Sequence, residues 1–421
     1  MKVAVIGSGG REHALCVFLK KSKKIRDLYC IPGNAGTSTI SKNVELNLDN
    51  FEEIKEFILT QKIEIVVIGP EKPLVNGIVD YLEKFNIKVF GPNEISSQLE
   101  GSKIFTKKLC EKYNIPTAKF GIFKNASQTI PYLENCNFPI VVKADGLASG
   151  KGVYICEDKK QAIQAIEEIF NGKFGKAKEL LIEEFLKGEE MSFFIISDGI
   201  TYKSFGTAQD HKRVLENDEG KNTGGMGAYS PSRLEDKTLN KKILKKIINP
   251  TLEGLKNLKS NFNGFLYAGL MIVENEPYLI EYNVRMGDPE CQTILPKLKT
   301  DFFEIIEACV NQKLSSINIE WNHDKSLCIV LCSLGYPEKF SNNIEIKNLD
   351  NIRLNENEYI FHAGTIKKDL KTFSNGGRVL NFVINSSEFV KSRDRAISII
   401  KEINWKNGFY RKDIGFKVIN K

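Results

Sequence analysis

Apolar residues near the start of the chain come in short unbroken runs, each closed by a turn and followed by a helically spaced segment. Lys2–Ile6 runs into Gly7-Ser8-Gly9-Gly10, and Arg11–Lys21 predicts a helix. Leu28–Ile31 predicts a second strand, closed by Pro32-Gly33-Asn34-Ala35-Gly36. Phe51–Gln61 carries Phe51, Ile54, Phe57 and Ile58 at helical spacing, and Glu64–Ile68 is again continuous, ending at Gly69-Pro70. Leu74–Phe85 predicts a helix and Lys88–Phe90 a strand. Strands apolar on both faces alternating with helices imply a doubly wound, mostly parallel sheet.

A helix over Ser102–Tyr113 follows, and after Ile115-Pro116 the pattern changes. Phe120–Phe123, Ile140–Lys143, Val153–Cys156, Leu180–Glu184 and Ser192–Ile196 predict short strands, with one helix over Lys159–Phe170 among them. Phe205–Pro231 is polar and glycine-rich and reads as a long loop. Lys241–Leu258 predicts a helix, Gly264–Glu274 and Pro277–Asn283 a strand pair, and Phe302–Val310 a helix. From Lys325 onward the chain reads as mixed strands with a final helix near Arg393–Glu402.

Composition adds bounds. The 421 residues argue for two to four domains, and 42% hydrophobic with 27% charged residues exclude a disordered chain or a disulfide-stapled miniature. The net charge of +7 is too dilute over this length to argue for nucleic acid. Nine cysteines show no C-x-x-C pair and read as buried free thiols in a reducing compartment. No window approaches the ~20 apolar residues of a membrane span, and MKVAVIGSGGREHAL reads as a first strand and not a signal peptide. A cytoplasmic enzyme is the expectation.

Three segments carry chemistry. Gly7–Gly10 stands at a strand end before a helix, where backbone N–H groups can meet an anion, and Arg11 adds a fork of donors. A dinucleotide fits poorly, since Glu12 stands where the fingerprint wants glycine and no acid ends the second strand. A small phosphate ligand and a merely structural turn both stay open. Lys143-Ala144-Asp145-Gly146-Leu147-Ala148-Ser149-Gly150-Lys151-Gly152 lies between two apolar strands and can form a lid over a polyphosphate. It is no Walker A loop, because Gly152 stands where Ser or Thr should hold magnesium. Glu281, Asn283 and Arg285 alternate along Leu279–Glu290, which puts a carboxylate, an amide and a guanidinium on one strand face. That set suits Mg²⁺ and a transferring phosphoryl group, or else the polar face of an edge strand. Glu190, beyond Ile182-Glu183-Glu184-Phe185-Leu186, could accept from ribose hydroxyls or sit on a solvated rim.

In order along the chain, Gly7–Ala14, Pro32–Thr37, Ile68–Val75, Leu99–Lys103, Lys143–Gly152, Gln209–Val214, Asn222–Pro231, Gly287–Glu290, Phe361–Thr365 and Asn375–Val379 resemble the ATP-grasp superfamily, and within it the phosphoribosylamine–glycine ligase family. The resemblance implies an N-terminal doubly wound α/β domain over residues 1–101, an ATP-grasp region over 102–320 with a mobile lid at about 115–196, and a small mixed C-terminal domain over 321–421. It implies ATP-dependent joining of glycine to 5-phosphoribosylamine through glycyl phosphate, a step of purine synthesis, with Mg²⁺ or Mn²⁺. By that resemblance Lys103, Lys143, Gly146, Ser149, Gly150, Lys151 and Gly152 would hold and cover the ATP phosphates. Glu183, Glu184, Phe185 and Leu186 would read adenine through backbone groups, and Glu190 would hold ribose. Glu281 and Asn283 would bind metal, and Arg285 and Asp288 would be catalytic. Gly9, Gly10, Arg11, Asn34, Gly36 and Thr37 would face the phosphoribosyl group. Asp210, His211, Lys212, Arg213, Gly224 and Gly225 would close around the acyl phosphate. The family also implies small-molecule partners only, with no nucleic acid, no membrane, and a monomer or weak dimer. Tyr282, Met286 and Cys291 depart from the family's usual residues, and Ala268–Ile272 offers no acid for a second metal.

Overall fold

The computed structural model describes residues 1–147, 152–173, 175 and 178–419. Its first layer is a five-stranded parallel sheet in the order Lys42–Asn43, Asp27–Pro32, Lys2–Gly7, Ile65–Ile68, Lys88–Phe90. The runs Val3–Ile6 and Ile65–Ile68 are buried on both faces, as parallel strands between helices must be. The chain departs from Lys2–Gly7 and Ile65–Ile68 in opposite directions along the sheet. That leaves a crevice at their carboxyl ends, lined by Gly7–Gly10 and Gly69–Glu71. The single helix expected over Leu74–Phe85 is two, Glu71–Val75 and Ile78–Glu83. Gly77 at φ +83 turns the chain between them, a conformation open to glycine at little cost.

A four-stranded antiparallel sheet, ordered Phe120–Phe123, Leu180–Glu184, Ile140–Ala144, Val153–Cys156, forms a separate subdomain with its own core around Val142, Ile166 and Ile182. Two helices pack on it, Lys159–Phe170 and the unexpected Ala126–Tyr132. The latter is short and contains Pro131, so its periodicity is weak; Asn125 starts it by accepting from the Gln128 N–H.

The largest sheet is antiparallel and joins the middle of the chain to its end. Its order is Glu276–Asn283, Asn263–Val273, Glu189–Asp198, Tyr202–Asp210, Gly227–Ser230, Lys325–Ser333, Arg378–Ser386, Glu358–His362, with Gly408–Phe409 on Lys325–Ser333. The loop expected over Phe205–Pro231 therefore contains sheet strands and a hairpin, Arg213–Leu215 with Glu219–Asn222. Its polarity reflects a buried network. Gln209 Oε1 accepts from Tyr229 Oη at 2.6 Å and from Ser232 Oγ at 3.0 Å, while its Nε2 donates to the Glu190 carbonyl at 2.9 Å. The helix expected over Lys241–Leu258 is Lys237–Ile243, a π-turn at Leu244–Ile248 and Asn249–Asn257. Among the described residues no helix is long and apolar enough to cross a membrane. All nine cysteines are free, and all but the half-buried Cys136 are buried.

Candidate active site

The alternation from Glu281 onward holds. Tyr282, Val284 and Met286 are buried, while Glu281, Asn283 and Arg285 share the opposite, partly open face. Neither the Glu281 carboxylate nor the Asn283 side-chain amide has a hydrogen-bond or ion-pair partner among the described residues. Two adjacent oxygen donors left free on a rigid strand fit a Mg²⁺-sized ion that takes its other ligands from water and substrate phosphates. Among the described residues no group of three or more His, Cys, Asp or Glu could hold a metal by itself.

Arg285 is fixed from a distant part of the chain. Its Nη2 donates to Glu100 Oε1 at 2.6 Å, its Nη1 to the Met286 carbonyl at 3.2 Å, and its Nε lies 3.4 Å from Glu71 Oε2. The other oxygen of Glu100 accepts from the Val284 N–H at 2.8 Å. One carboxylate at the end of the helix Glu94–Gly101 thus holds both the guanidinium and the backbone that presents it. Burial pushes the Glu100 carboxyl above its usual range against the pull of Arg285, whereas Arg285 draws that of Glu71 down. Sequence spacing offers no sign of these pairs.

Two lysines, Lys143 on the four-stranded sheet and Lys103 on the helix before it, are held near Gly146. Lys143 Nζ lies 2.9 Å from Glu183 Oε1, and Lys103 Nζ donates to the Gly146 carbonyl at 2.9 Å. Asp145 accepts from Ser102 Oγ at 3.1 Å and from the Ile104 N–H at 3.2 Å, so a lid residue meets the start of the helix Lys103–Lys112. Gly146, at φ +92, has open space where a side chain would begin. Gly152 closes the strand pair by accepting from the Ala144 N–H at 2.8 Å. Ser149, Gly150 and Lys151 lie outside the described residues. Glu183 is paired on both sides, with Phe120 and with Val141, and the Glu184 N–H donates to the Lys119 carbonyl. Any edge for an adenine therefore lies beyond Glu183, toward the exposed Phe185 and the half-buried Leu186. Glu190, half exposed, pairs with Lys212 at 2.7 Å. Burial pushes the nearby Asp210 carboxyl up to about 7; Lys212 opposes this, and Glu290 and Glu190 add to it.

At the crevice the helix start is filled by the chain itself. Glu12 Oε2 accepts from the Gly9 N–H at 2.6 Å, and Gly7, Gly9 and Gly69 close around its carboxylate. A Cβ on Gly69 would stand 2.0 Å from Glu12 Oε1. Arg11 is buried, with Nε 2.6 Å from Glu12 Oε1 and Nη1 donating to the Met286 carbonyl at 3.2 Å. The expected phosphate-binding guanidinium is thus tied to a neighbouring carboxylate. Arg11 keeps only Nη2 without a partner among the described residues, and further unpartnered donors stand on Arg378. Its Nη1 serves the Gly224 and Asp288 carbonyls, both at 2.6 Å, and stands 3.2 Å from Asp288 Oδ1. Asp288 also accepts from the Arg11 N–H at 3.2 Å and from Gln292 Nε2 at 2.7 Å.

Other expected ligand contacts are engaged elsewhere. Asn34 Nδ2 donates to the carbonyls of Ser8 and His362, both at 2.8 Å, and its Oδ1 accepts from Gly36 and Thr37. Thr37 is fully buried against Asn34 and Asn43, and Gly36 packs on His13 and His362. These residues pin the first layer to the strand Glu358–His362, so their side chains are occupied within the fold. His211 is occupied within the fold as well. It is buried between Tyr229 and Phe416, its Nε2 accepts from the Gly415 N–H at 3.2 Å, and burial beside Arg411 pushes it down to about 4. Arg213 donates to the Gly220 carbonyl across its own hairpin at 2.7 Å. Gly224 is exposed, with its N–H on Tyr336 Oη, and Gly225 turns at φ +116 over Pro289.

Comparison with known proteins places the chain in a family. The family model described as phosphoribosylglycinamide synthetase, ATP-grasp (A) domain matches residues 101–291. The N and C domain models of the same synthetase match residues 1–100 and 326–417. A phosphoribosylamine–glycine ligase of Brucella melitensis is 42% identical over 422 residues, covering 100% of this chain and 99% of that protein. A trifunctional purine biosynthetic protein of Gallus gallus, adenosine-3, is 42% identical over 99% of this chain and 42% of its own length. The crystal structure of a phosphoribosylamine–glycine ligase from Thermotoga maritima superimposes with a TM-score of 0.86 at 32% identity, covering 99% of this chain and 100% of that one. A biotin carboxylase domain from Hydrogenobacter thermophilus, solved with MgADP and bicarbonate, shares the fold with a TM-score of 0.74 at 16% identity, over 95% and 89% of the two chains.

Proposed function

The chain belongs to the phosphoribosylglycinamide synthetase family, and from that premise we propose how its residues divide the work of the family's reaction. The protein is an ATP-dependent carboxylate–amine ligase that joins glycine to 5-phosphoribosylamine, giving glycinamide ribonucleotide, ADP and phosphate. The glycine carboxylate takes the γ-phosphoryl group of ATP. The amine then attacks the acyl carbon of glycyl phosphate, and phosphate leaves with the C–O bond pair.

One observation carries the assignment of roles: Glu281 and Asn283 share one strand face with both oxygen donors free, and Arg285, two residues past the strand's end, stays on the same partly open side. Lys103 and Lys143 hold the ATP phosphates, and Gly146–Gly152 covers them. Phe185 and Leu186 offer backbone groups to adenine, and Glu190 takes the ribose. Glu281 and Asn283 would hold Mg²⁺ or Mn²⁺, which would supply charge neutralisation on the triphosphate. Arg285 neutralises charge on the transferring phosphoryl group, since such a transfer asks mainly for positioning and electrostatics. Asp210, Lys212, Gly224 and Gly225 border the acyl phosphate and exclude water from a hydrolysable intermediate. The amine substrate enters the crevice at Gly9–Gly10, beside Glu71 and Asp288, with its 5-phosphate on the free donors of Arg378. Arg11 positions Glu12 and the Met286 carbonyl.

The same reading divides the chain at residues 1–101, 102–320 and 321–421, with 115–196 as the lid. It makes the protein a cytoplasmic monomer or weak dimer. A coupled assay tests it: ADP release must require glycine and fresh phosphoribosylamine together, and bicarbonate must not replace glycine. ADP release independent of glycine would overturn it.

A further inference from the structure

Behind the lid lysine lies a second, deeper one that no step of the reaction uses. Lys107 is 2% exposed, on the buried face of the helix Lys103–Lys112. Its Nζ stands 3.3 Å from Glu183 Oε1, the same oxygen that Lys143 approaches to 2.9 Å. All three side chains are almost fully enclosed. One buried carboxylate is therefore shared by two buried ammonium groups, with Lys103 close enough to feel Lys143 and Glu183.

The two lysines are held differently. Lys107 Nζ also donates to Thr117 Oγ1 at 2.5 Å, Thr117 donates to the Leu279 carbonyl at 2.6 Å, and the Phe120 ring lies 5.4 Å away. Those bonds tie Lys107, through Thr117 near the start of the 115–196 segment, to the strand Glu276–Asn283. For Lys143, Glu183 is the only ion-pair partner among the described residues, and it stands on the strand that runs into Gly146–Gly152. Burial lowers the affinity of Lys107 for its proton, while Glu183 holds the charge in place. A surplus of one positive charge in an enclosed space is costly unless an anion arrives to match it.

We propose that Lys107 is a positioning residue for ATP: it keeps Glu183 paired, so that Lys143 can leave that carboxylate for the nucleotide phosphates without abandoning a buried negative charge. The inference rests on Lys143 as a phosphate ligand, as read above. Without Lys107, the turn of Lys143 toward ATP would strand Glu183, and ATP binding would carry that cost. Without Glu183, the free enzyme loses two ion pairs and the complex loses one, so ATP binding becomes easier.

The experiment is a double-mutant cycle read by the Michaelis constant for ATP and by calorimetric ATP binding. K107M should raise the constant for ATP at least tenfold and leave those for glycine and phosphoribosylamine within twofold. E183Q should tighten ATP binding severalfold. K107M/E183Q should return ATP binding to within about threefold of the native protein. A lysine that only anchors the lid predicts equal effects on all substrates and no rescue, and that result overturns the proposal. If K107M does not fold, the direction of E183Q and the behaviour of the double variant decide. No tightening in E183Q, or a weak double variant, overturns it. K143M separates this inference from its premise: ATP binding unaffected by K143M means that Lys143 is not a phosphate ligand, whereas weakened binding with no rescue in the cycle refutes Lys107 alone.

Discussion

Replacing Glu100 by alanine removes a group that touches no substrate in the proposed reaction, yet it should damage both stability and turnover. Two bonds go: 2.6 Å to Arg285 Nη2 and 2.8 Å to the Val284 N–H. Breaking a buried pair by removing one partner costs about 3–5 kcal/mol. Arg285 keeps Glu71 at 3.4 Å, which pulls the estimate down. The orphaned Val284 N–H adds about 1–3 kcal/mol, so ~3–5 kcal/mol is the expected total. Arg285 would then swing toward Glu71 and away from the phosphoryl path. Losing one aimed donor of this kind costs ~100–1,000-fold in turnover, or roughly 3–4 kcal/mol. E100Q keeps an oxygen for one bond and should lie between native and E100A on both scales. Urea unfolding followed by circular dichroism gives the first number, and ADP release at saturating substrates gives the second. The reasoning fails if E100A unfolds within ~1 kcal/mol of native and keeps more than about a tenth of its turnover.

Glu281→Ala should cut turnover by far more than tenfold, because the Asn283 amide alone cannot neutralise a metal–triphosphate; retention of a tenth of activity in saturating Mg²⁺ and Mn²⁺ would remove Glu281 from the metal site. Burial holds His211 and His362 down at about 4, against 6.5 for a free imidazole. The charged form is disfavoured in the folded state, so their contribution is complete above pH 6.5 and is lost as pH falls toward 4. Each should add up to ~1.4 kcal/mol per pH unit to the slope of stability in that window, and urea midpoints measured from pH 7.5 to 4 should flatten when either is replaced by glutamine. Arg11→Ala should lower the thermal midpoint by leaving Glu12 buried without its cation, with no selective change in the constant for phosphoribosylamine. A fully stable R11A with that constant alone raised tenfold would return the guanidinium to the ligand.

What could be read from sequence follows from the range of the signal. Buried parallel strands announce themselves as Val3–Ile6 and Ile65–Ile68 because both faces are covered and every position is apolar. The Glu281 segment is legible for the opposite reason: one face is covered and one is not, so Tyr282, Val284 and Met286 alternate with Glu281, Asn283 and Arg285. Both are local periodicities. Phe205–Pro231 misleads because core residues such as Phe205, Ala208, Met226 and Tyr229 are scattered among polar and glycine positions, and its buried Gln209 is satisfied by side-chain hydrogen bonds. Glu100 and Lys107 escape notice since their partners, Arg285 and Glu183, stand far off in the chain and meet them only after folding.

The helix start at Gly10 shows how an anion rule can be met by the chain itself. Unpaired N–H groups at the end of a strand, with a helix dipole behind them, do ask for an anion. The rule does not say whose anion. Glu12 stands three residues after Gly9, the spacing at which a glutamate reaches back to the N–H that opens its own helix. A carboxylate already tethered there needs no binding step to occupy the site, and the glycines at 7, 9 and 69 are small enough to let it in. Once it is there, Arg11 must pair with it, since a buried carboxylate without a cation is costly. The arginine that the motif offers to a phosphate is thereby spent inside the protein, and the open guanidinium over the crevice comes from Arg378, on the last long strand of the large sheet.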